Sequence, residues 1–339
     1  MLVPAAEIRM MTMLGQITPV SIGTVVSQDV EVNRRVSAPK PVSALTMLHQ
    51  QRQNNPLRLL QHSKLALGPG ITQLTGPAGS GKTQVALTLC VAASFDGKKS
   101  VYISLGSSNH GTWLTKVSLR LRKMVAVNLT CIDKQQPFVG TADENTHRLL
   151  SNVWLHGIRN TDDLMELFEE KLPKLLQQDP KISVVVLDSI ASLFRASEDT
   201  NGIQVNKKRS QPGGHWKSRS STFFKIATHC KYLSTIHHVP IIFVNDVTTK
   251  IIPTQSYVKA NAEPALGLSW SQCVNTTYFV TRLKNIEKRS TRHGSRNCDH
   301  STRSEQPISR IIRCLHSPSI QSGVTVEFRI DDRGAIHAS

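Results

Sequence analysis

Acidic side chains are in short supply in this 339-residue sequence: 24 Asp and Glu stand against 41 Lys and Arg, leaving a net charge of +17 and a pI near 9.9. Such an excess points to a polyanionic partner, nucleic acid first, because each cation that neutralises a phosphate releases condensed counterion. Aromatic residues are few, at 5% within a hydrophobic content of 39% that suits a soluble protein. No apolar stretch approaches the roughly 20 residues of a membrane-spanning helix, so no membrane partner is expected. Residues 1–40 lack the compact apolar core and cleavage site of a secretory signal and read as a poorly ordered or adaptor segment. The cysteines Cys90, Cys131, Cys230, Cys273, Cys298 and Cys314 form no C-x-x-C pair and no zinc-type spacing with histidine. They read as reduced thiols of an intracellular protein, several of them in a core.

What the sequence does carry is Gly76-Pro77-Ala78-Gly79-Ser80-Gly81-Lys82-Thr83, which fits the phosphate-cradling pattern G-x-x-x-x-G-K-S/T. The glycines free the backbone to turn N–H groups onto the α- and β-phosphates, Lys82 reaches the β- and γ-oxygens, and the Thr83 hydroxyl ligates Mg²⁺. A short apolar run at 71–75 enters the motif and apolar residues at helical spacing follow from Gln84 to Ala93, the context this chemistry needs. The second half of such a site is an acid at the end of another buried strand. Ile182-Ser183-Val184-Val185-Val186-Leu187-Asp188 supplies it: Val and Ile suit a parallel strand covered on both faces, and Asp188 at its end is placed to hold Mg²⁺ directly or through water.

The length fits one α/β domain of about 250 residues with a short N-terminal region, divided here as 1–64, a segment and linker, and 65–339, the core. Val36-Ser37-Ala38-Pro39-Lys40-Pro41 is a stiff linker, because its prolines disfavour both helix and ladder, and a polar helical stretch over 45–53 follows it. Strand candidates recur at 71–75, 100–104, 152–156, 182–187 and 240–244, with helix-like stretches between them. The clearest of these opens at Thr161-Asp162-Asp163, a cap and acidic first turn before Leu164, Leu167, Phe168, Leu172, Leu175 and Leu176. Alternating strand and helix predict a mostly parallel sheet flanked by helices. Beyond Val244, the stretches 274–283, 308–316 and 324–330 alternate polar and apolar residues and predict antiparallel C-terminal strands at one sheet edge.

Positive charge concentrates in three places. Residues 197–221, just beyond the Asp188 strand, read as a loop holding Lys207, Lys208, Arg209, Lys217 and Arg219 around Pro212-Gly213-Gly214 and Trp216. Residues 248–262 read as a second loop with Lys250, Tyr257 and Lys259. Cations interleaved with an aromatic suit single-stranded nucleic acid, on which bases stack while Lys and Arg track the backbone; a solvated surface loop is the plainer alternative. A basic insertion near 284–306, running from Lys284 through Lys288, Arg289, Arg292, Arg296 and Arg303 among serines and glycines, has the composition of a disordered segment.

Taken together, these residues resemble the RecA-type recombinases, and more specifically the eukaryotic recombinase paralogs. The resemblance covers about 42–337 and rests on Ser43-Ala44-Leu45, Leu48-His49-Gln50-Gln51, Gly70-Ile71-Thr72-Gln73-Leu74-Thr75-Gly76 leading into the motif, and Val101-Tyr102-Ile103. It continues through Val186-Leu187-Asp188-Ser189-Ile190-Ala191, Leu193-Phe194-Arg195, Pro264-Ala265-Leu266-Gly267 with Trp270, Ser317-Pro318, Phe328-Arg329-Ile330 and Gly334. It implies a RecA-like P-loop ATPase core that holds ATP and Mg²⁺ in the nucleus and acts in homologous recombination and double-strand break repair. Single-stranded or junction DNA, the C-type paralog and the main eukaryotic recombinase are the partners it implies. In that family two mobile loops facing DNA follow the aspartate strand and the next strand, which here are the two basic stretches.

Three departures accompany the resemblance. Relatives dock on a neighbouring subunit through an aromatic residue three positions before an alanine; Ala44 is present, but Pro41 holds the aromatic position. The glutamate that activates water after the second strand is replaced by Gly106 in Ser104-Leu105-Gly106-Ser107-Ser108, with no carboxylate nearby and only His110 as a shifted substitute. Loss of a general base removes roughly 10²- to 10⁴-fold of rate. The glutamine that senses the γ-phosphate is replaced by Asp246, which cannot donate an amide hydrogen bond and repels phosphate. An ATP-binding recombination mediator is therefore expected, with an autonomous DNA-dependent ATPase and strand-exchange recombinase as the alternative. A small-molecule phosphotransferase would need an acceptor site and an acidic base, and neither is evident.

Overall fold

The structure, a computed structural model, describes residues 57–60, 64–106, 110–132, 141–201, 214–253, 258–283 and 308–338. In chain order these form β1 (Gly70–Gly76), α1 (Lys82–Phe95), β2 (Lys99–Leu105), α2 (His110–Ile132), α3 (Ala142–Leu150) and β3 (Val153–Ile158). Helix α4 follows in three pieces, Thr161–Glu166, a π-helical turn Leu167–Lys171, and Leu172–Gln178; then come β4 (Ile182–Asp188), α5 (Ile190–Asn201) and α6 (Gly214–His237). The last elements are β5 (Pro240–Pro253), β6 (Val258–Pro264), α7 (Gly267–Ser271), β7 (Thr276–Arg282), β8 (Ser309–His316), β9 (Thr325–Ile330) and β10 (Ile336–Ala338).

All strands join one 10-stranded sheet in the order β10-β9-β8-β7-β1-β5-β4-β2-β3, with β6 paired to the outer half of β5. Pairing from β7 through β1, β5, β4 and β2 to β3 is parallel, and from β7 through β8 and β9 to β10 it is antiparallel. The expected parallel sheet with antiparallel C-terminal strands is therefore present. One detail differs: β7 lies parallel to β1 and only its far side is antiparallel, so it is the seam between the two pairing modes.

Two cores follow from the alternation of side chains along buried strands. Val184 and Val186 of β4, with Leu74, Tyr102, Ile242 and Val244, pack under α1, α2 and α3, while Val185 and Leu187, with Ile71, Ile103, Ile241 and Phe243, pack under α4, α5 and α6. Helix α1 buries residues on every side, from Val85 and Ala86 to Leu89, Cys90 and Ala93, as a helix sandwiched in a core must. Leu59 and Leu60 join the first core, so packing begins slightly before residue 65. Cys90, Cys230, Cys273 and Cys314 are free and buried, as expected for core thiols, and burial pushes the Cys90 thiol up to about 12.

Two loop expectations need correction. Residues 248–253 and 258–262 are not loop but the antiparallel β5–β6 ribbon, with Thr248 opposite Glu263 and Ile252 opposite Lys259. The run Thr248-Thr249-Lys250-Ile251-Ile252 is mostly β-branched, and that preference outweighs its lysine. The stretch 197–221 is helical at both ends, through Asn201 in α5 and from Gly214 in α6. The N-terminal segment with Pro41 and Ala44, the cluster Lys207-Lys208-Arg209, Tyr257 and the basic insertion 284–306 lie outside the described residues. The last falls between the paired strands β7 and β8.

Candidate functional site

Parallel registry brings the carboxyl ends of four strands to one line. Gly76 at the end of β1 lies opposite Asp246 in β5, Val244 of β5 opposite Asp188 of β4, and Asp188 opposite Ser104 of β2. The glycine-rich turn leaves β1 at this line and leads directly into α1, so its backbone N–H groups and the helix N-terminus converge there. Gly76 is required by space: a Cβ on it would lie 2.0 Å from the Val280 carbonyl oxygen of the neighbouring strand.

Lys82 is buried, and its ammonium donates to the carbonyls of Gly76 at 2.7 Å and Pro77 at 3.0 Å. It also lies 3.3 Å from Asp246 Oδ1, while Arg195 Nη2 donates to the other oxygen of that carboxylate at 2.7 Å. The site therefore holds a cation–anion–cation chain, Lys82–Asp246–Arg195. Asp246, expected to repel phosphate, is thus within ion-pair reach of two cations.

Asp188 is the second focus. Its Oδ2 accepts from the Thr83 hydroxyl at 2.7 Å and from the Tyr102 hydroxyl at 2.6 Å. Burial holds its carboxyl above the usual 3.8, against the pull of those two hydrogen bonds and of Lys82, and Asp246 adds a smaller push upward. Burial and the neighbouring carboxylate raise the Tyr102 phenol well above its ordinary value, so it stays a donor. A hydroxyl and a carboxylate in contact are a hard-oxygen pair of the kind Mg²⁺ uses alongside substrate phosphates. Ser80 Oγ in the turn and Thr75 Oγ1 just before it are buried with no partner among the described residues, as expected of groups awaiting a ligand. The donor set thus fits a magnesium–phosphate group: Thr83 and Asp188 would hold the metal, the turn and Lys82 the phosphates.

Position 106 has a physical reason to lack a side chain. Gly106 directly follows β2 with φ of 74°, and a Cβ there would lie 2.9 Å from both the Leu193 nitrogen and the Ser192 carbonyl carbon of α5. A glutamate cannot be seated without moving that helix. His110 opens α2, and its side chain lies outside the described residues.

Several contributors had no motif to announce them. Arg282 Nε donates to the Gly79 carbonyl at 2.8 Å and braces the turn from β7. Arg310 lies opposite Arg282 in the β7–β8 register, with its Nε buried and unpartnered among the described residues. Tyr102 and Arg195 were visible as part of the family pattern but carried no assigned role. Of the nucleic-acid candidates, Arg219 of α6 places its guanidinium 5.6 Å from the ring centres of Phe194 and Phe223. Lys217 lies in the same helix, and Lys250 and Lys259 pair with Asn261 and Ile252 in the β5–β6 ribbon. The turn residues, Lys82, Thr83 and Asp188 are thus brought together, whereas these four basic residues belong to other elements.

No family model matches the chain. Among curated proteins it is 24% identical over 281 residues to the "DNA repair protein XRCC3 homolog" of Arabidopsis thaliana, covering 78% of this chain and 85% of that protein. It is 27% identical to "DNA repair protein XRCC3" of Bos taurus over 67% of this chain and 65% of that one. The chain is similar to the RecA-type recombinase paralogs. Within that group it is similar to XRCC3, the third X-ray repair cross-complementing paralog, and also to "DNA repair protein RAD51 homolog 3" of Dictyostelium discoideum, at 25% identity over 68% of this chain and 58% of that protein. A solved structure titled "Crystal structure of the RadB recombinase" aligns with a TM-score of 0.47 at 20% identity, covering 80% of this chain and 91% of that one. The RecA-like fold of this chain rests on its own strand order and on the motif-bearing β1–α1 unit.

Two outcomes follow for this chain. In the nucleotide-free chain, Asp188 keeps a proton that the unfolded chain has already released, in the window from 3.8 up to its raised folded value. The native state then binds more protons than the unfolded state, so stability falls as pH rises through that window. Asp188→Asn should flatten this part of the profile, since Asn still accepts from Thr83 and Tyr102; urea unfolding at about pH 4 to 7 reads it, and an unchanged slope would contradict it. Gly106→Glu should lower stability by roughly 1–3 kcal/mol and add no ATP turnover. A gain in turnover would show that a base can be seated there.

Proposed function

We propose that this paralog is an ATP-binding mediator of homologous recombination and double-strand break repair that holds nucleotide far longer than it hydrolyses it. The observation that carries this reading is the pairing of an intact phosphate and metal set, Lys82, Thr83 and Asp188, with Gly106 packed too tightly against α5 for a catalytic carboxylate. ATP and Mg²⁺ are the cofactors. The metal, when bound, screens phosphate charge, while the chain's own residues bind and orient the nucleotide. Nucleotide bound only by the assembled form then stabilises assembly.

The partners in this reading are single-stranded or junction DNA, the C-type paralog and the main eukaryotic recombinase, in the nucleus. The net charge of +17 supports a nucleic-acid partner. Among the described residues no helix is long and apolar enough to cross a membrane. Strand β3 ends the sheet and supports a protein partner, because an open strand edge suits an extended segment of another chain. With Pro41 where relatives place an aromatic, the chain is better suited to accept such a segment than to supply one, which favours a mediator over a self-assembling filament.

The test is equilibrium binding of the full chain to fluorescent single-stranded DNA across a salt series, with and without the C-type paralog and MgATP. Lys82→Ala should abolish the nucleotide-dependent gain with partner while leaving bare DNA affinity within about twofold. Replacing Lys207, Lys208 and Arg209 with alanine should weaken DNA binding and flatten the log–log salt slope by about 2, at roughly 0.7 per lost phosphate contact. An unchanged slope would remove that cluster from the DNA contact; brisk DNA-stimulated turnover by the chain alone would favour the autonomous ATPase.

A further inference from the structure

An ammonium has three N–H donors, and those of Lys82 are all engaged: by the Gly76 carbonyl at 2.7 Å, the Pro77 carbonyl at 3.0 Å and the Asp246 carboxylate at 3.3 Å. A phosphate oxygen reaching this lysine must replace one of them. The two carbonyls belong to the turn that would itself wrap the phosphates, and they are neutral. Asp246 is the only anion in the set, and it sits where an incoming anion would make its ion pair.

Asp246 is also poorly free to leave. Its backbone lies opposite Gly76 in the β1–β5 register, its own carbonyl accepts from Ala265 N at 2.8 Å, and its second oxygen is held by Arg195 at 2.7 Å. We propose that the Asp246 carboxylate takes the place of a terminal phosphate and makes this site select nucleoside diphosphate over nucleoside triphosphate.

The selection follows from charge. A β-phosphate can be gathered by the N–H groups of the turn and by Lys82 through its carbonyl-facing donors, leaving the Asp246 pair in place. A γ-phosphate can make an ion pair with Lys82 or Arg195 only by drawing that cation away from Asp246, and in either case carboxylate and phosphate are left facing each other. Like charges at such range, near a low-dielectric wall, repel far more than in water. Arg195 is about half exposed, at 53%, so it moderates this repulsion without abolishing it. The expected preference for the diphosphate is tenfold or more, which corresponds to about 1.4 kcal/mol.

This inference rests on the nucleotide-binding reading above, and one experiment separates their failures. The full-length chain is titrated calorimetrically with MgADP, MgATP and a non-hydrolysable Mg–triphosphate, alongside Asp246→Asn. The expected result is ADP at least tenfold tighter than either triphosphate in the natural chain, and a ratio within about threefold of unity in the variant, reached mainly by a gain in triphosphate affinity. Equal or tighter triphosphate binding by the natural chain overturns the inference and leaves nucleotide binding standing; that ratio decides the matter even if the variant does not fold. A ratio unchanged in a folded variant also overturns it, because the selectivity then has another source. Binding of no nucleotide by the natural chain sinks both readings together.

Discussion

The parallel registry of β1, β5, β4 and β2 is the constraint on which the rest depends. It places Gly76, Asp246, Asp188 and Ser104 at one end of the sheet, although they come from distant parts of the sequence. A one-residue slip in any pair would turn the side chains of that strand to the opposite face. Such a slip is prevented by burial on both sides, because Val184 and Val186 face one core and Val185 and Leu187 the other. Packing thus fixes the site to within a hydrogen bond: Thr83 and Tyr102 meet the same oxygen of Asp188 only because α1 and β2 are held against β4.

Within that frame Lys82, Thr83 and Asp188 converge, and position 106 carries no carboxylate. Gly106 is locked by steric contact with α5, so the lack is built into the packing as well as the sequence. The Lys82–Asp246–Arg195 chain adds a second restraint at the same end of the sheet. Both features point away from rapid turnover.

Much of this was legible in the amino-acid sequence, for physical reasons that can be named. The turn from Gly76 to Thr83 is a local motif whose chemistry is confined to a single bend, and Ile182–Asp188 is a continuous apolar run that only a buried strand tolerates. The pairing of Lys82 with Asp246, the capture of that carboxylate by Arg195 and the brace from Arg282 to Gly79 were not legible, because each joins elements that only the sheet order brings together. The β5–β6 ribbon was missed because Lys250 and Lys259 drew the reading toward a loop, while the β-branched residues between them were the stronger signal. The start of α6 was missed because Pro212-Gly213-Gly214 punctuates a loop and opens a helix equally well.

The central claim, a phosphate-holding site without the means to turn nucleotide over, is tested most directly in a single turnover. Full-length chain in excess is saturated with γ-labelled MgATP, with and without single-stranded DNA and the C-type paralog, and the fate of the bound label is followed. Recovery of intact triphosphate on release, with cleavage slower than dissociation under every condition, is the expected result. Cleavage that outpaces release, stimulated by DNA in the chain alone, would mean that a base is present after all and would contradict the claim.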